Sequence, residues 1–261
     1  MTRTHSKHTR LYADGVDISG YSRSVGTLGW VFDAEPDAAF TDQVKNILIG
    51  KCDIQAGAIS AFMDNDPAGL HALAGTGTND HGTRNVMIAI GANAAPVQGD
   101  NVFAWKFEQT SYQVEQGGGF VAVTIPLGGA SSQGVLNYKK PWGKLLHAKG
   151  TETAVNSAVG IDDYGATPPS LGGIFIYHCH SSIGGNITLK AQEADTNVDG
   201  SFGDITGATS GLIDASAAPK HGMIAIATTY ALKRYLRWQV VFDVGTSATF
   251  TAAFIRNTLA V

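Results

Sequence analysis

The chain has 261 residues, of which 15% are charged and 32 are glycine, and its formal net charge is −4. This length can hold two domains, each large enough to bury its own core. Scarce charge with abundant glycine is typical of a turn-rich β protein. The negative balance argues against a nucleic-acid reader that works by neutralising phosphates.

The sequence carries no targeting or disulfide signal. No stretch approaches the ~20 apolar residues that a membrane helix needs, and residues 1–10 are polar and basic, without the apolar centre of a signal peptide. Cys52 and Cys179 lie in strand-like runs and are too few for a disulfide framework, so both are expected to be small buried side chains. We expect a soluble protein that folds in a reducing cytoplasm and has no membrane partner.

Two helices are predicted in the first half of the chain. The stronger pattern covers residues 36–49, where apolar residues follow the i, i+4, i+7, i+8 spacing of an amphipathic helix: Phe40, Val44, Ile47 and Leu48. Pro36 suits the first turn of this helix, and Gly50 suits the position after its last turn. A shorter helix is predicted over residues 67–74, with Asp66 as its cap.

The remaining pattern is strand and turn, after an arm at residues 1–9 that is expected to be flexible. The first-half strands are predicted at residues 11–14, 16–19, 27–32, 53–63, 85–91, 102–114 and 120–127. The second-half strands are predicted at residues 144–147, 174–180, 186–192, 222–229, 234–243 and 248–256. An Asp14-Gly15 turn joins the first two strands, and the glycine-rich segment 115–119 makes a hairpin of the last two first-half strands.

The two halves of the chain echo one another. Met-Ile-Ala-Ile occurs at residues 87–90 and again 136 residues later, and similar echoes occur at nearly the same offset. A repeat at half the chain length predicts two copies of one β module, and the Gly- and Ser-rich residues 128–142 make the best boundary. The predicted organisation is therefore an arm (1–9), a first module (10–137) and a second module (138–261). The helix at 36–49 has no second-half counterpart, so an accidental resemblance of the halves is the alternative.

Three histidines are the first candidate for a metal site. His178 and His180 are at i and i+2 on a predicted strand, so their side chains project to one face. His221 is the only nearby third candidate, and no carboxylate is visibly spaced to orient the imidazoles. The sequence favours the alternative, a pair of surface histidines on a half-exposed strand.

A second candidate resembles part of a calcium loop. Asp195, Asn197 and Asp199 alternate before a glycine, as do the ligands that wrap a hard cation. The twelfth position is Thr206 instead of a bidentate glutamate, and no helices flank the loop. An Asp-Gly turn between two strands explains the same residues, so we predict no metal and no cofactor.

Catalytic motifs are missing from the sequence. The glycine-rich segment 75–82 lacks the spacing and the lysine of a phosphate-binding loop, and no nucleophile elbow, H-E-x-x-H or C-x-x-C motif occurs. The Asp162-Asp163 pair fits a solvated loop. The strand at 235–243 alternates core residues with a Tyr235, Arg237 and Gln239 face, which fits either an interface or plain surface. The sequence predicts no enzyme and no catalytic residues.

Several runs resemble the tail proteins of long-tailed bacteriophages. They are Tyr-Ala-Asp-Gly-Val-Asp-Ile-Ser-Gly-Tyr-Ser (12–22), Val-Lys-Asn-Ile-Leu-Ile-Gly (44–50), Gly-Leu-His-Ala-Leu (69–73), Pro-Trp-Gly-Lys-Leu-Leu-His (141–147) and Lys-Arg-Tyr-Leu-Arg-Trp (233–238). They span most of the chain but contain no diagnostic functional motif. The resemblance implies the tail tube fold, a β-sandwich with one helix packed against a sheet, assembled into stacked rings.

The function implied by this resemblance is that of a major tail tube protein, a structural virion protein whose rings form the conduit for DNA ejection. If the chain carries two modules, three chains give a trimeric ring with pseudo-sixfold symmetry. Segments 102–127 and 234–256 are then the predicted hairpins of the lumen-lining sheet, and a mildly acidic lumen lets genomic DNA pass without specific binding.

The implied partners are further copies of the chain and the tape measure, tail terminator and baseplate proteins, in a virion tail assembled in the host cytoplasm. Two other functions stay open from the sequence. One is a phage capsid decoration or head-fibre protein. The other, more distant, is a carbohydrate-binding β-sandwich, which needs exposed Trp and Tyr near Asp or Asn loops.

Overall fold

The computed structural model describes residues 6–37, 46–64, 66, 69–75, 81–92, 94–117, 119–130, 141–162, 165, 171–214, 219–243 and 246–257. Of these, residues 6, 30–37, 46–53, 55, 129, 130 and 162 are described by their backbone alone. Within these ranges the chain is mainly β, with nineteen strands and one α-helix. No helix in this part of the chain is long and apolar enough to cross a membrane.

The first half contains eleven strands and the helix. They are β1 (Thr9–Ala13), β2 (Val16–Asp17), β3 (Ser22–Val25), β4 (Leu28–Asp37), β5 (Asn46–Ala56), β6 (Ile59–Phe62), α1 (Leu70–Ala74), β7 (Gly82–Ile90), β8 (Asn101–Gln109), β9 (Gln113–Gly117), β10 (Phe120–Ile125) and β11 (Leu127–Ala130). A short 3-10 turn, Ser6–His8, precedes β1.

The second half contains eight strands. They are β12 (Trp142–Glu152), β13 (Ile161–Asp162), β14 (Gly173–Ile183), β15 (Ile187–Ala194), β16 (Gly203–Thr209), β17 (Lys220–Ile226), β18 (Tyr235–Phe242) and β19 (Ser247–Arg256). A 3-10 turn, Asp199–Ser201, lies between β15 and β16.

One antiparallel sheet of nine strands runs through both halves. Its order is β17-β14-β19-β12-β8-β7-β1-β2, and β11 also pairs with β8. The halves are joined by the β8–β12 pair, which places Trp142 opposite Phe103. Two four-stranded sheets lie outside it, β3-β6-β10-β9 in the first half and β13-β18-β15-β16 in the second, and β4 pairs with β5 alone.

The large sheet is curled so that its two ends face each other. Tyr12 on β1 lies with its ring centroid 6.0 Å from that of His178 and 5.5 Å from that of His180, both on β14. Asn85 on β7 contacts the ring of His221 on β17. We call this meeting of the two ends the seam. It is formed by Tyr12, Asp14, Gly15, Arg84 and Asn85 on one side and His178, His180 and His221 on the other.

Two apolar cores bury both faces of the large sheet. The first core fills its inner face and the space beneath the β3-β6-β10-β9 sheet, and the second core lies between its second half and the β13-β18-β15-β16 sheet. Strand β14 contributes to both, because side chains alternate along a strand. Ile174 and Ile176 belong to the first core, whereas Phe175, Tyr177 and Cys179 belong to the second.

The helix predicted at residues 36–49 is wrong. Pro36 and Asp37 end strand β4, and residues 46–49 begin strand β5, with Pro36 opposite Ile47 in the register; residues 38–45 lie outside the described chain. Four apolar residues matched the helical spacing, but the isoleucines of β5 favour a pleated strand, and a long antiparallel partner satisfies its backbone. Tertiary pairing decided the conformation.

The second predicted helix is confirmed in a shorter form, and it packs in the first half as expected. In α1, Leu70 and Ala74 are buried in the first core. Its cap differs from the prediction, because the Leu70 N–H donates to Asp64 Oδ2 at 2.9 Å. The Asp66 backbone carbonyl accepts from the Gly69 N–H.

Three predicted hairpins have different outcomes. The Asp14-Gly15 turn is confirmed between β1 and β2. Segment 102–127 contains a real hairpin, β9–β10, but β8 lies in the large sheet. Segment 234–256 is not a hairpin, since β18 pairs with β13 and β15 whereas β19 pairs with β12 and β14.

The echoed Met-Ile-Ala-Ile strings lie at different places in the large sheet. Met87–Ile90 belongs to β7, which pairs on both sides with β1 and β8. Met223–Ile226 belongs to β17, which pairs with β14 at one end of the sheet order. If the two halves are equivalent, the equivalence therefore lies in their apolar cores and not in the positions of these repeated sequences.

Candidate functional site

The three histidines singled out from the sequence are brought together at the seam. The ring centroids of His178 and His221 are 6.4 Å apart, and their register across β14 and β17 places them opposite each other. The prediction of surface histidines is wrong. His178 is completely buried and His180 is mostly buried, because the curled sheet covers this face of β14 with β1 and β2.

Gly15 bonds to two of these rings through its backbone. Its N–H donates to His178 Nδ1 at 3.0 Å, and its carbonyl oxygen lies 2.6 Å from His180 Nδ1. His178 Nδ1 therefore acts as an acceptor and carries no proton, whereas His180 Nδ1 carries one and donates. His180 Nε2 lies 3.2 Å from Thr251 Oγ1, and His178 Nε2 is buried without a hydrogen-bond partner among the described residues.

The close approach at Gly15 explains why a glycine is required there. Its φ is +88°, and a Cβ would lie 2.8 Å from Pro219 Cβ and 3.0 Å from the backbone N and O of Lys220. A side chain would push the turn away from β17, in addition to the strain of a positive φ.

An ion pair closes the other part of the seam. Arg84 Nη1 donates to Asp14 Oδ2 at 3.0 Å, and both side chains are nearly buried. Asp14 Oδ1 accepts the Asn85 N–H at 2.8 Å and lies 3.7 Å from His221 Nδ1. The turn is therefore held by charge as well as by the two histidines.

Burial sets the protonation of this cluster. It lowers the pKa of His178 well below its usual value, helped by the neighbouring His180 and His221. It lowers the pKa of His180 to about 4 and lowers that of His221, with Asp14 opposing. At neutral pH the rings are neutral. Within the described chain, no three His, Cys, Asp or Glu side chains are arranged to hold a metal ion.

The residues of the segment that resembles a calcium loop contact other parts of the second half of the chain. Asn197 Oδ1 accepts the Gly160 N–H at 2.7 Å, and Asp199 pairs with Arg237. Asp195 lies 3.6 Å from Lys233 Nζ. The segment connects the paired strands β15 and β16, as the alternative interpretation of the sequence expected.

Two further expectations concern burial. The exposed face predicted for Arg237 is wrong, because its guanidinium is buried, donates to Gln192 Oε1 at 2.9 Å and lies 4.2 Å from the centroid of the Phe202 ring. Cys179 is buried as predicted, and burial raises its thiol pKa to about 11. The Cys52 side chain, Asp163 and residues 76–80 lie outside what the structure describes.

The outward face of the β3-β6-β10-β9 sheet exposes two aromatic side chains. Phe62 and Phe120 are 42% and 44% exposed and meet edge to face at 5.5 Å, with the Arg23 guanidinium 5.2 and 5.1 Å from their ring centroids. Beside it lies a cleft of about 410 Å³ whose basic residues are Lys7, Arg10 and Arg23. Exposed aromatics beside a cation are typical of protein interfaces.

Comparisons with known proteins do not assign a family. No protein-family model matches the chain, and no curated protein matches it. Among solved structures it is similar to the SPP1 Dit (gp 19.1) protein, described as a paradigm of the hub adsorption apparatus in phages that infect Gram-positive bacteria. The TM-score is 0.32 and the identity 13%, over 96% of this chain and 99% of that one. A likeness at this level does not establish a shared function.

Proposed function

We propose that the chain is a structural protein of a bacteriophage tail, and that its copies assemble into the rings of the tail tube. The resemblance of several runs of the sequence to phage tail proteins supports a place in the tail. The observation that carries the ring is that one chain holds two apolar cores, each between the large sheet and its own four-stranded sheet. Two such units per chain make a trimeric ring with pseudo-sixfold symmetry, with modules at 10–137 and 138–261.

The apolar face of Phe62, Phe120 and Arg23 supports self-association. A monomer gains nothing from holding two phenylalanines nearly half exposed, whereas a neighbouring copy would remove them from water. The edge strand β9 beside it is exposed at all five residues and pairs on one side only, with β10. We assign this face to the contact between neighbouring copies.

A passage for DNA agrees with the charge of the chain. The formal net charge of −4 opposes phosphate contacts, so DNA would slide without specific binding. The lumen-lining segments proposed from the sequence, 102–127 and 234–256, need revision as hairpins. Each crosses between the large sheet and a smaller one, so neither segment is one hairpin.

The described residues do not meet the requirement of the carbohydrate-binding alternative, which is exposed Trp and Tyr side chains. Trp105 and Trp238 are buried, Trp142 is half-buried, and no tyrosine side chain described here is exposed. The exposed Trp and Tyr side chains that this alternative needs are therefore not found in this part of the chain.

Electron microscopy of the purified protein tests the proposal. We expect rings or tubes of uniform bore, with three chains per ring at high resolution. Six chains per ring would contradict the two-module arrangement while keeping the tail tube. A protein that stays monomeric and instead coats expanded phage heads would contradict the tail tube and support a decoration protein.

A pair of variants tests the assembly face. Phe62→Ser with Phe120→Ser should abolish assembly while leaving the β circular dichroism spectrum unchanged, because both side chains are on the outer face. Leu212→Ser is the matched control, since Leu212 is 65% exposed on the second half. Equal assembly by all three proteins would show that the contact lies elsewhere.

A further inference from the structure

We propose that the seam is an acid-sensitive latch, in which protonation of His178 releases the Asp14-Gly15 turn from β14 and opens the curled sheet. The inference goes beyond the proposed function and does not depend on it. It rests on which atom of His178 faces which atom of Gly15, and on the position of that contact between the two ends of the sheet.

The backbone of Gly15 dictates the charge state of His178. A backbone N–H can only donate, and it donates to Nδ1 at 3.0 Å. An imidazolium carries a proton on both nitrogens, so protonation at Nδ1 would place two donors against each other. The hydrogen bond must then break, and a positive charge would remain in a completely buried position.

The surroundings of His178 offer little compensation for that charge. The nearby carboxylates are already engaged: Asp14 with Arg84 at 3.0 Å, and Asp17 with Lys149 at 2.8 Å. The ionisable groups around the seam, taken from every packed strand, are Arg10, Tyr12, Asp14, Asp17, Arg84, Lys106, Lys149, His180, Lys220 and His221. Cations outnumber carboxylates in this set even before any histidine is protonated, so an added proton meets net repulsion.

The contact that breaks is one that holds the ends of the sheet together. The Gly15 N–H and C=O bond to His178 and His180, and the same turn approaches Pro219 and Lys220. The ion pair of Asp14 with Arg84 lies within the first half and does not join the ends. The contact of Asn85 with His221 and the ion pair of Asp17 with Lys149 do connect the first half to the second, so release of Gly15 removes one part of what holds the seam. The second core shares no residue with this contact, so it should stay packed while the seam opens.

The direction of the pH effect follows from the histidine pKa values. Unfolded histidine takes up a proton near pH 6.5, whereas burial holds the pKa of His178 well below this and that of His180 at about 4. Below pH ~6.5 the open state therefore binds more protons, and the closed seam loses stability as the pH falls. Between pH 7.5 and 5.0 each such histidine should weaken the closed state about 30-fold.

Hydrogen–deuterium exchange of the wild-type protein at pH 7.5 and 5.0 tests the latch directly. After correction for intrinsic exchange, peptides containing Gly15 should lose protection at pH 5.0, whereas peptides from β15 and β18 should keep it. Unchanged protection of the Gly15 peptide, or equal loss in β15 and β18, would overturn the proposal.

A variant separates His178 from the other histidines. His178→Asn keeps an acceptor for the Gly15 N–H but cannot take a proton. The factor by which the folding equilibrium constant falls between pH 7.5 and 5.0 should therefore be about 30-fold smaller in this variant than in the wild type. His81→Asn, at an exposed histidine, should retain the wild-type pH dependence. Full pH dependence in His178→Asn would overturn the assignment. If that variant does not fold, the wild-type exchange experiment decides.

Discussion

Strand β14 is buried on both faces, and the two faces are stabilised in opposite ways. One face presents Phe175, Tyr177 and Cys179 to the second core, an apolar layer completed by the β13-β18-β15-β16 sheet. The other face presents His178 and His180 to the seam. The stability of the apolar face depends on how well its side chains fill the core. The stability of the polar face depends on whether each hydrogen-bond donor meets an acceptor.

Two buried histidines show the same contrast. His147 lies against the second core, stacked 4.2 Å from Phe250, and its two nitrogens face the Phe250 carbonyl and Glu152 at 3.1 and 2.9 Å. Both partners are acceptors, so a second proton keeps both contacts. His178 faces a donor, so a second proton breaks its contact. Burial alone does not make a histidine a switch; the identity of the opposing atom does.

The largest predicted effect is in the second core. Phe250→Ala should lower the free energy of unfolding by about 4 kcal/mol, because it removes a fully buried ring and leaves a cavity. Urea denaturation followed by circular dichroism measures the loss. Val241→Ala, at a side chain 41% exposed on β18, should change stability by less than ~0.5 kcal/mol. Comparable losses in the two variants would show that the second core is not tightly packed.

At the seam, Gly15→Ala should cost about 3 kcal/mol, from positive-φ strain and the contact with β17. The control is Gly207→Ala on β16, where φ is +87° and a Cβ meets nothing. That variant should cost about 1 kcal/mol. The difference between the two, measured by thermal or urea unfolding, isolates the close approach. Equal losses would mean that the turn does not press on β17.

The ion pair of the seam should contribute less than the packing at Gly15. Asp14→Asn keeps the shape of the side chain and tolerates the left-handed φ of +46°, but it leaves Arg84 nearly buried without its carboxylate, at a cost of about 2 kcal/mol. Asp204→Asn breaks the more exposed pair with Lys190 and should cost less than ~1 kcal/mol. A double-mutant cycle with Arg84→Met measures the coupling free energy between the two side chains. A coupling free energy near zero would show that the ion pair does not stabilise the seam.

The smallest effect is expected outside both cores. Phe62→Ser should lower the free energy of unfolding by less than ~1 kcal/mol, since it loses one edge-to-face contact and one cation–π contact at an exposed site. Thermal unfolding at a concentration where the protein is monomeric provides the measurement. A loss as large as that of Phe250→Ala would indicate that this face is part of the folded core and not a surface for assembly.

The alternation of β14 shows how far the sequence could predict the fold. The strand itself, and most of its neighbours, follow from runs of β-branched and aromatic residues between turns. The burial of its second face does not, because a strand covered on both sides has an almost continuous apolar run and nothing local indicates what covers it. The sequence therefore predicts a surface residue at His178, although Ile174 and Ile176 on the same face indicate a buried one.

The other departures have equally local causes. The spacing of residues 40–48 fits a helix, yet β5 forms because β4 supplies a partner strand. Arg237 belonged to the polar side of an alternating strand, and only the fold brings Gln192, Asp199 and Phe202 around it. The seam joins residues more than 160 positions apart, a contact that no periodicity can indicate.

Strand β19 lies between β12 and β14 in the middle of the large sheet, although it is the last described strand along the chain. It carries Phe250 and Phe254 of the second core and Ala253 and Ile255 of the first. During synthesis from the N-terminus, β12 and β14 have no partner at this position until β19 has left the ribosome. Neither core can be completed earlier, so the two halves acquire their stability together, once β19 is available. A chain that stops before residue 247 exposes two open strand edges to aggregation.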